Sequence, residues 1–324
     1  MRLLLIILTL LLSTINATAD TIKVLILNED FQKIPKKDEK IVKLGSKEGD
    51  LLLDGSHYTG NIEVWIGDSG LYIITELSLE EYVKGVVMSE VGPNWEMEAL
   101  KAQAVISRTY ALFKKKTNGG SLFHLTSSAL HQVFKGNNFD VRAAYAVEET
   151  SGEILTFNRN LIEPFYHSTC GGRTETPEDV FGRSYPYLRS VESNCDISPL
   201  WIWEKKIPFY EIERSLNISG IKEISAKSFT STDRVKELAL VSNSGVFTIK
   251  ATDLRKALGW SRLPSTNFTI AKDGDSIIFQ GRGYGHGVGL CQWCALKMAR
   301  EGKNYKEILS FFYPGTTLQL NESR

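Results

Sequence analysis

Residues 281–294 read Gly-Arg-Gly-Tyr-Gly-His-Gly-Val-Gly-Leu-Cys-Gln-Trp-Cys, and no other stretch constrains the fold so tightly. Gly281, Gly283, Gly285, Gly287 and Gly289 alternate strictly, directly after Ser276 to Phe279, which read as a strand. If the extended conformation continues, side chains alternate between faces. One face is then bare backbone, and Arg282, Tyr284, His286 and Val288 line the other. Glycine weakens a strand through entropy and lost packing, so five of them call for close approach of a ligand or of another backbone. A glycine-rich loop without a ligand is the plain alternative. No register of these glycines gives a G-x-G-x-x-G that opens a helix, which excludes a dinucleotide fingerprint.

The rest of the chain has to say what the bare face is for. Its 324 residues carry 38 basic and 38 acidic side chains, so net charge gives no argument for nucleic acid as a partner. Length suggests about two domains. Arg2, an apolar run from Leu3 to Leu12, and Ala17-Thr18-Ala19 have the pattern of a secretory signal peptide over residues 1–19. The run is short for a bilayer span, and no cysteine follows it to carry a lipid. The expected product is an exported chain beginning at Asp20, in the periplasm or cell-wall space, with no transmembrane anchor after cleavage.

Export makes the four cysteines candidates for disulfides. Cys170 and Cys195 are well separated and form the favoured pair, whereas Cys291 and Cys294 stand in C-x-x-C spacing and stay open. The competing reading is a zinc site built from His167, Cys170, Cys291 and Cys294.

Residues 20–75 read as a β-rich segment, with Ile22 to Leu27 a buried strand and Asp54-Gly55 and Gly67 to Gly70 turn signals. Residues 76–200 begin with a helix capped by Ser78 and running from Leu79 to about Glu90, where Val91-Gly92-Pro93 ends it. Asn94 is expected to cap a second helix from about Trp95 to Lys116. Its small residues mark it as central. Asp140 caps a third, through Glu149. A hairpin follows, Glu153 to Phe157 and Leu161 to Ser168. Residues 201–280 read as a second α+β segment, and residues 281–324 as the glycine stretch followed by two helices. The expectation is an α+β chain, a two-lobed mixed α/β arrangement with a cleft between the lobes.

Several segments, in order, resemble the SpoIID/LytB family of sporulation proteins and amidase enhancers. They are Leu79 to Val87, Ser89-Glu90-Val91, Glu98 to Val105, Arg108-Thr109-Tyr110, Tyr166 to Gly172, and Gly283 to Gln292. The resemblance implies action on the glycan strands of peptidoglycan, as a lytic transglycosylase that cuts between N-acetylmuramic acid and N-acetylglucosamine and prefers peptide-stripped strands. It places the catalytic glutamate at Glu90. It also implies, for some members, a metal near that glutamate, where His124 and His131 are the corresponding candidates, although the segment lacks a cysteine. A non-catalytic enhancer of a peptidoglycan amidase and a hydrolytic muramidase are the competing readings.

The chemistry suits the position. An apolar helix face and Trp95 can desolvate the Glu90 carboxyl and raise its pKa, as a general acid near neutral pH requires. One carboxyl suffices for a transglycosylase and no cofactor is required, whereas a hydrolase normally uses two. Trp95, Tyr166, Tyr284 and Trp293 are candidate sugar platforms, or else packing residues. Gln103 and Gln132 are candidates to orient Glu90 or bind a sugar hydroxyl, with a buried structural hydrogen bond as the alternative, and Gln292 is a further substrate-binding candidate. Arg108 and Tyr110, with His167, Ser168, Gly171, Gly172 and His286, complete the candidate glycan-binding set; for Arg108 the alternative is an internal ion pair.

Overall fold

The computed structural model describes residues 20–26, 34–35, 39–92, 94–129 and 131–321; the expected leader, 1–19, lies outside the described residues. The architecture is α+β, with eight helices among the described residues and strands gathered in several small sheets. Strand Thr21–Ile26 pairs antiparallel with Gly70–Ser78, setting Ile22 opposite Leu77 and Val24 opposite Thr75, and parallel with Leu125–Thr126 on its other edge. Ser56–Gly67 and Ile41–Leu53 extend the sheet outward. Asp54 and Gly55 turn that outer hairpin with φ of 49° and 72°, the conformation a tight two-residue turn demands.

Strand Gly70–Ser78 runs without a break into helix α1, Leu79–Glu90. The Ser78 hydroxyl accepts from the Glu81 N–H, so the expected cap is present. Leu79, Tyr82, Val83, Val86 and Val87 are buried, the helical stripe read from the sequence. Helix α2 spans Met97–Thr117, starting later than expected: Asn94 does not cap it, and the Glu96 carbonyl accepts the first helical N–H groups. Residues 94–96 are used otherwise, since Trp95 packs edge-on against Trp293 and Glu96 pairs with Arg300. Between Ala102 and Leu112, α2 is buried on every side. It packs on α1 and on α3 (Val141–Glu149, capped by Asp140). Beyond α4 (Pro177–Phe181), α5 (Phe209–Leu216) and α6 (Ala251–Leu258) come α7 (Gln292–Arg300) and α8 (Tyr305–Phe312), which close on the opposite flank of α2.

Apolar side chains gather accordingly. One cluster lies between the five-stranded sheet and α1, α2 and α3; a second lies between α2, α7, α8 and the hairpin segments from Leu155 to Ile162. A third, over residues 203–279, joins α5 and α6 to two three-stranded sheets. Arg108 sits inside α2 with no exposed surface. Its guanidinium makes two bonds to the Glu80 carboxylate (2.9 and 2.7 Å) and two to the carbonyls of Glu153 and Val147. That is the internal ion pair, and its complete burial keeps the guanidinium away from any ligand at the surface. Tyr110 is likewise a core residue, 7% exposed.

The glycine stretch departs from the extended reading. Strand Ser276–Gly281, held between Trp203–Pro208 and Phe268–Asp273, stops at Gly281. From Gly283 on, alternate residues take positive φ, so the pleat ends and there is no bare face. What the glycines allow is contact of backbone with backbone. A Cβ on Gly283 would stand 2.5 Å from the Thr169 carbonyl oxygen, and one on Gly289 would run into the Phe165 carbonyl oxygen. Thr169 and Tyr284 exchange backbone hydrogen bonds (3.0 and 2.8 Å), and Leu290–Cys291 pairs parallel with Tyr166–His167. The stretch is a packing seam against residues 165–171. Gly171, whose Cβ would meet Arg282, belongs to the same seam, and Gly172 lies beside Trp201.

Candidate active site

Glu90 is the last residue of α1 and is partly accessible. Its Oε1 accepts from the Val133 N–H (2.8 Å) and the Tyr166 hydroxyl (3.0 Å), and its Oε2 faces the Gln292 amide nitrogen at 3.4 Å. Three separate parts of the chain thus converge on one carboxyl: the loop before α3, the strand Tyr166–His167, and the first residue of α7. The seam is what brings the last two together, because Leu290 pairs with Tyr166 in the parallel register. Gln292 also donates to Gln103 Oε1 (3.3 Å), and Gln103 donates to Ser107 (3.0 Å), which ties the site to the buried face of α2. Gln132 accepts from the Tyr82 hydroxyl (3.2 Å), while its own amide nitrogen, buried, lacks a hydrogen-bond partner among the described residues.

Burial raises the Glu90 pKa above the ordinary carboxylate value, and the hydrogen bonds from Val133, Tyr166 and Gln292 offset this in part. The C-terminal end of α1, where the helix dipole is negative, acts in the same direction as burial. With Oε1 already accepting two hydrogen bonds, the acidic proton belongs on Oε2. The result is a carboxyl that holds a proton more tightly than usual and presents it beside Gln292. Glu81, Glu96 and Glu98, near in sequence, are engaged elsewhere: with Lys84, with Arg300, and with Lys101 and the Tyr305 N–H.

Trp95 and Trp293 form an edge-to-face pair at 5.2 Å, each partly buried, and Trp293 adjoins Gln292 in sequence. Gln292, which faces Glu90 Oε2, thus connects the pair with the carboxyl along the chain. Ser168 accepts the Trp293 N–H through its carbonyl, which helps seat that indole. Tyr284 is held by its backbone to Thr169.

The two histidines of the seam, His286 and His167, both hold a proton less tightly than an ordinary imidazole. His286 takes the Val288 N–H on Nδ1, and burial, then Arg255 and Arg234, push its pKa down to about 4 against a bond to the Tyr166 carbonyl. His167, also buried, is pushed well below its usual value by burial and by its neighbour His286; its Nδ1 lies 3.2 Å from the Val288 carbonyl and its Nε2 has no hydrogen-bond partner among the described residues. Nor do His124 and His131 suit a metal near Glu90. Nδ1 of His124 accepts from the Lys23 N–H, and Nδ1 of His131 accepts from the Thr126 N–H, so both stitch the short strand Leu125–Thr126 into its loop. Neither belongs to a cluster of three or more ligating groups among the described residues.

The cysteines also depart from expectation. All four are free and buried, with Cys170 and Cys195 sulfurs 3.4 Å apart, longer than a disulfide bond of about 2.05 Å. Cys195 joins Cys170, Cys291 and Cys294 in one cluster, and His167 is not part of it. Sequence reasoning missed the Val133 N–H as well. A backbone donor has no side-chain signature, and only the fold brings it to Glu90.

The comparisons with known proteins point to the family that the motifs resemble. A family model described as "Stage II sporulation protein" matches residues 67–157, which contain α1, α2 and α3, and a model described as a domain of unknown function matches residues 191–289. The chain is 36% identical over 274 residues to an uncharacterized protein of Brachyspira hyodysenteriae, covering 82% of this chain and 73% of that protein. It is 33% identical over 272 residues to stage II sporulation protein D of Bacillus subtilis, covering 76% and 75%. An amidase enhancer of Bacillus subtilis is 29% identical over 319 residues, covering 82% of this chain but 44% of that longer protein. The likeness to stage II sporulation protein D, above 30% identity, spans three quarters of both chains: the chain is a member of the SpoIID family.

Proposed function

We propose that the protein is an exported peptidoglycan lytic transglycosylase in which Glu90 is the general acid and then the general base. The observation that carries this reading is the Glu90 carboxyl itself, raised in pKa by burial yet fixed by the Val133 N–H, the Tyr166 hydroxyl and the Gln292 amide. Glu90 Oε2 donates its proton to the glycosidic oxygen between N-acetylmuramic acid and N-acetylglucosamine as positive charge develops at the muramic acid C1. The carboxylate so formed takes the proton from that sugar's own C6 hydroxyl, whose oxygen bonds to C1 and closes a 1,6-anhydro ring. The proton balance is complete with one carboxyl and no cofactor. A hydrolase would use a second carboxylate, about 5–5.5 Å away if retaining or about 6.5–9.5 Å if inverting.

Cell-wall action is further supported by membership of the family and by the relative named as an amidase enhancer. Export rests on the leader pattern of residues 1–19; among the described residues no helix is long and apolar enough to cross a membrane. The test is incubation with intact and with peptide-stripped peptidoglycan, followed by mass spectrometry. Anhydro ends are expected. Products heavier by one water would make the protein a muramidase, and stimulation of an added amidase without cleavage would make it an enhancer.

Tyr166→Phe offers a finer check. The phenol stabilises the Glu90 carboxylate, so its loss should raise the carboxyl's pKa further. Activity that depends on a protonated Glu90 falls as pH rises through that pKa, so this falling limb of kcat/KM should move to higher pH. The maximum should drop about tenfold, the size of one hydrogen bond to a charged group. An unshifted pH profile would remove Tyr166 from the site.

A further inference from the structure

The second cluster of chemistry in this molecule lies behind the candidate site. We propose that Cys170, Cys195, Cys291 and Cys294 form a tetrathiolate zinc site that clamps together the two segments bearing Tyr166 and Gln292.

The four sulfurs all lie within 4.8 Å of one another, with Cys170 at 3.4 Å from Cys195 and 3.5 Å from Cys294. Zinc bound to four thiolates at about 2.3 Å requires sulfur–sulfur edges of about 3.8 Å, so the cluster is already close to the right tetrahedron. A disulfide would use two of the sulfurs and leave the others facing each other in the core. Every ligand is fully buried. The donors around them suit anionic sulfur: the N–H groups of Cys170 (3.2 Å) and Cys294 (3.4 Å) both point at Cys291 Sγ. Cys291 is the N-cap of α7, so the positive end of that helix faces the cluster. Arg234, 2% exposed, donates to the Cys170 carbonyl (2.6 Å) and brings a positive charge beside the ligands; Glu175 is its acidic partner at 3.6 Å.

The ligands' places in the chain give the site a purpose. Cys170 follows Tyr166 by four residues, and Cys291 immediately precedes Gln292. Cys195 comes from the segment after strand Glu192–Ser193, which pairs with Gly172–Arg173. One ion would therefore bind the loop, its partner strand and the start of α7 into a single block directly behind two of the three groups that hold Glu90. This inference concerns architecture and stands whether or not Glu90 cleaves glycan.

The test uses the whole chain, expressed with its own N-terminal segment in medium containing both zinc and iron and purified without chelator. One zinc per chain is expected by elemental analysis. After unfolding in chelator, without reductant, all four cysteines should take up an alkylating reagent. A metal-free chain lighter by two or four hydrogens would overturn the site in favour of disulfides, a metal-free chain with four thiols would leave it an ordinary buried cluster, and iron in place of zinc would overturn the ion. Cys195→Ser, which keeps three ligands, should lose zinc to a competing chelator at least tenfold more readily. Amide hydrogen exchange in residues 165–172 and 290–294 of the wild-type chain should rise when zinc is withdrawn, and unchanged exchange would overturn the clamp.

Discussion

Glu90→Gln should lower glycan cleavage by about 10³-fold, the middle of the range for general acid–base catalysis, while leaving the chain folded and able to bind glycan. The amide keeps an oxygen for the Val133 N–H and the Tyr166 hydroxyl, so the hydrogen bonds at Oε1 survive, while the transferable proton and the long contact from Gln292 are lost. Stability should move the other way. Burial raises the Glu90 pKa in the folded chain, so over the interval between the unfolded and folded values the native state binds more protons than the unfolded one. This group's contribution is thus most favourable below its unfolded pKa of about 4.3 and is lost as pH rises through the folded value. Replacing it by an uncharged amide removes that neutral-pH penalty. The variant should be more stable than the wild type at neutral pH, and the difference should vanish near pH 4. Denaturant unfolding at the two pH values checks this, and glycan product analysis checks the activity. Undiminished turnover would remove Glu90 from the chemistry. A variant less stable at neutral pH would show that the carboxylate is not held at a cost.

The sequence made α1 legible because its signals agree: Ser78 to start it, one apolar stripe, and a stop after Glu90. The start of α2 was not legible in the same way. Asn94 is a good cap by type, but the tertiary demands on Trp95 and Glu96 displace the helix to Met97. The motif segments took in Gln103 and Gln292, whose contact spans 189 positions and depends on α7 packing across α2. Arg108 shows the limit of reading residue type. A cation on a helix of a glycan-binding candidate invites a substrate role, and only the fold shows Glu80 waiting for it. Cysteine spacing failed for a related reason. Separation along the chain says nothing about which sulfurs meet, and Cys195 arrives through the pairing of Glu192–Ser193 with Gly172–Arg173.

The alternating glycines misled by their period, and Gly289→Ala measures what they actually supply. Gly289 has φ of 72°, and a methyl there would strike the Phe165 carbonyl oxygen. That oxygen already accepts the Leu290 N–H (3.1 Å) and the Tyr313 hydroxyl (2.7 Å), so it cannot retreat without breaking both bonds. Two costs add: about 1–2 kcal/mol for an L-residue in the left-handed region, and about 1–3 kcal/mol for overpacking. The expected destabilisation is therefore about 2–5 kcal/mol. Gly182→Ala is the internal control, because Gly182 has φ of 70° but open space where its Cβ would go. It should lose only the conformational part, about 1–2 kcal/mol. The difference between the two, read by urea unfolding, is the energy of the seam. Activity should separate them more sharply still. Phe165 precedes Tyr166, and Gly289 lies three residues before Gln292, so opening the seam moves both partners away from Glu90. Gly182→Ala should retain full glycan cleavage where Gly289→Ala loses about 10²-fold, the penalty for displacing positioned groups by about 1 Å. Equal losses of stability in the two variants would mean that the glycines serve backbone conformation alone, and that close approach of residues 283–290 to residues 165–171 is not what holds Tyr166 and Gln292 on the carboxyl.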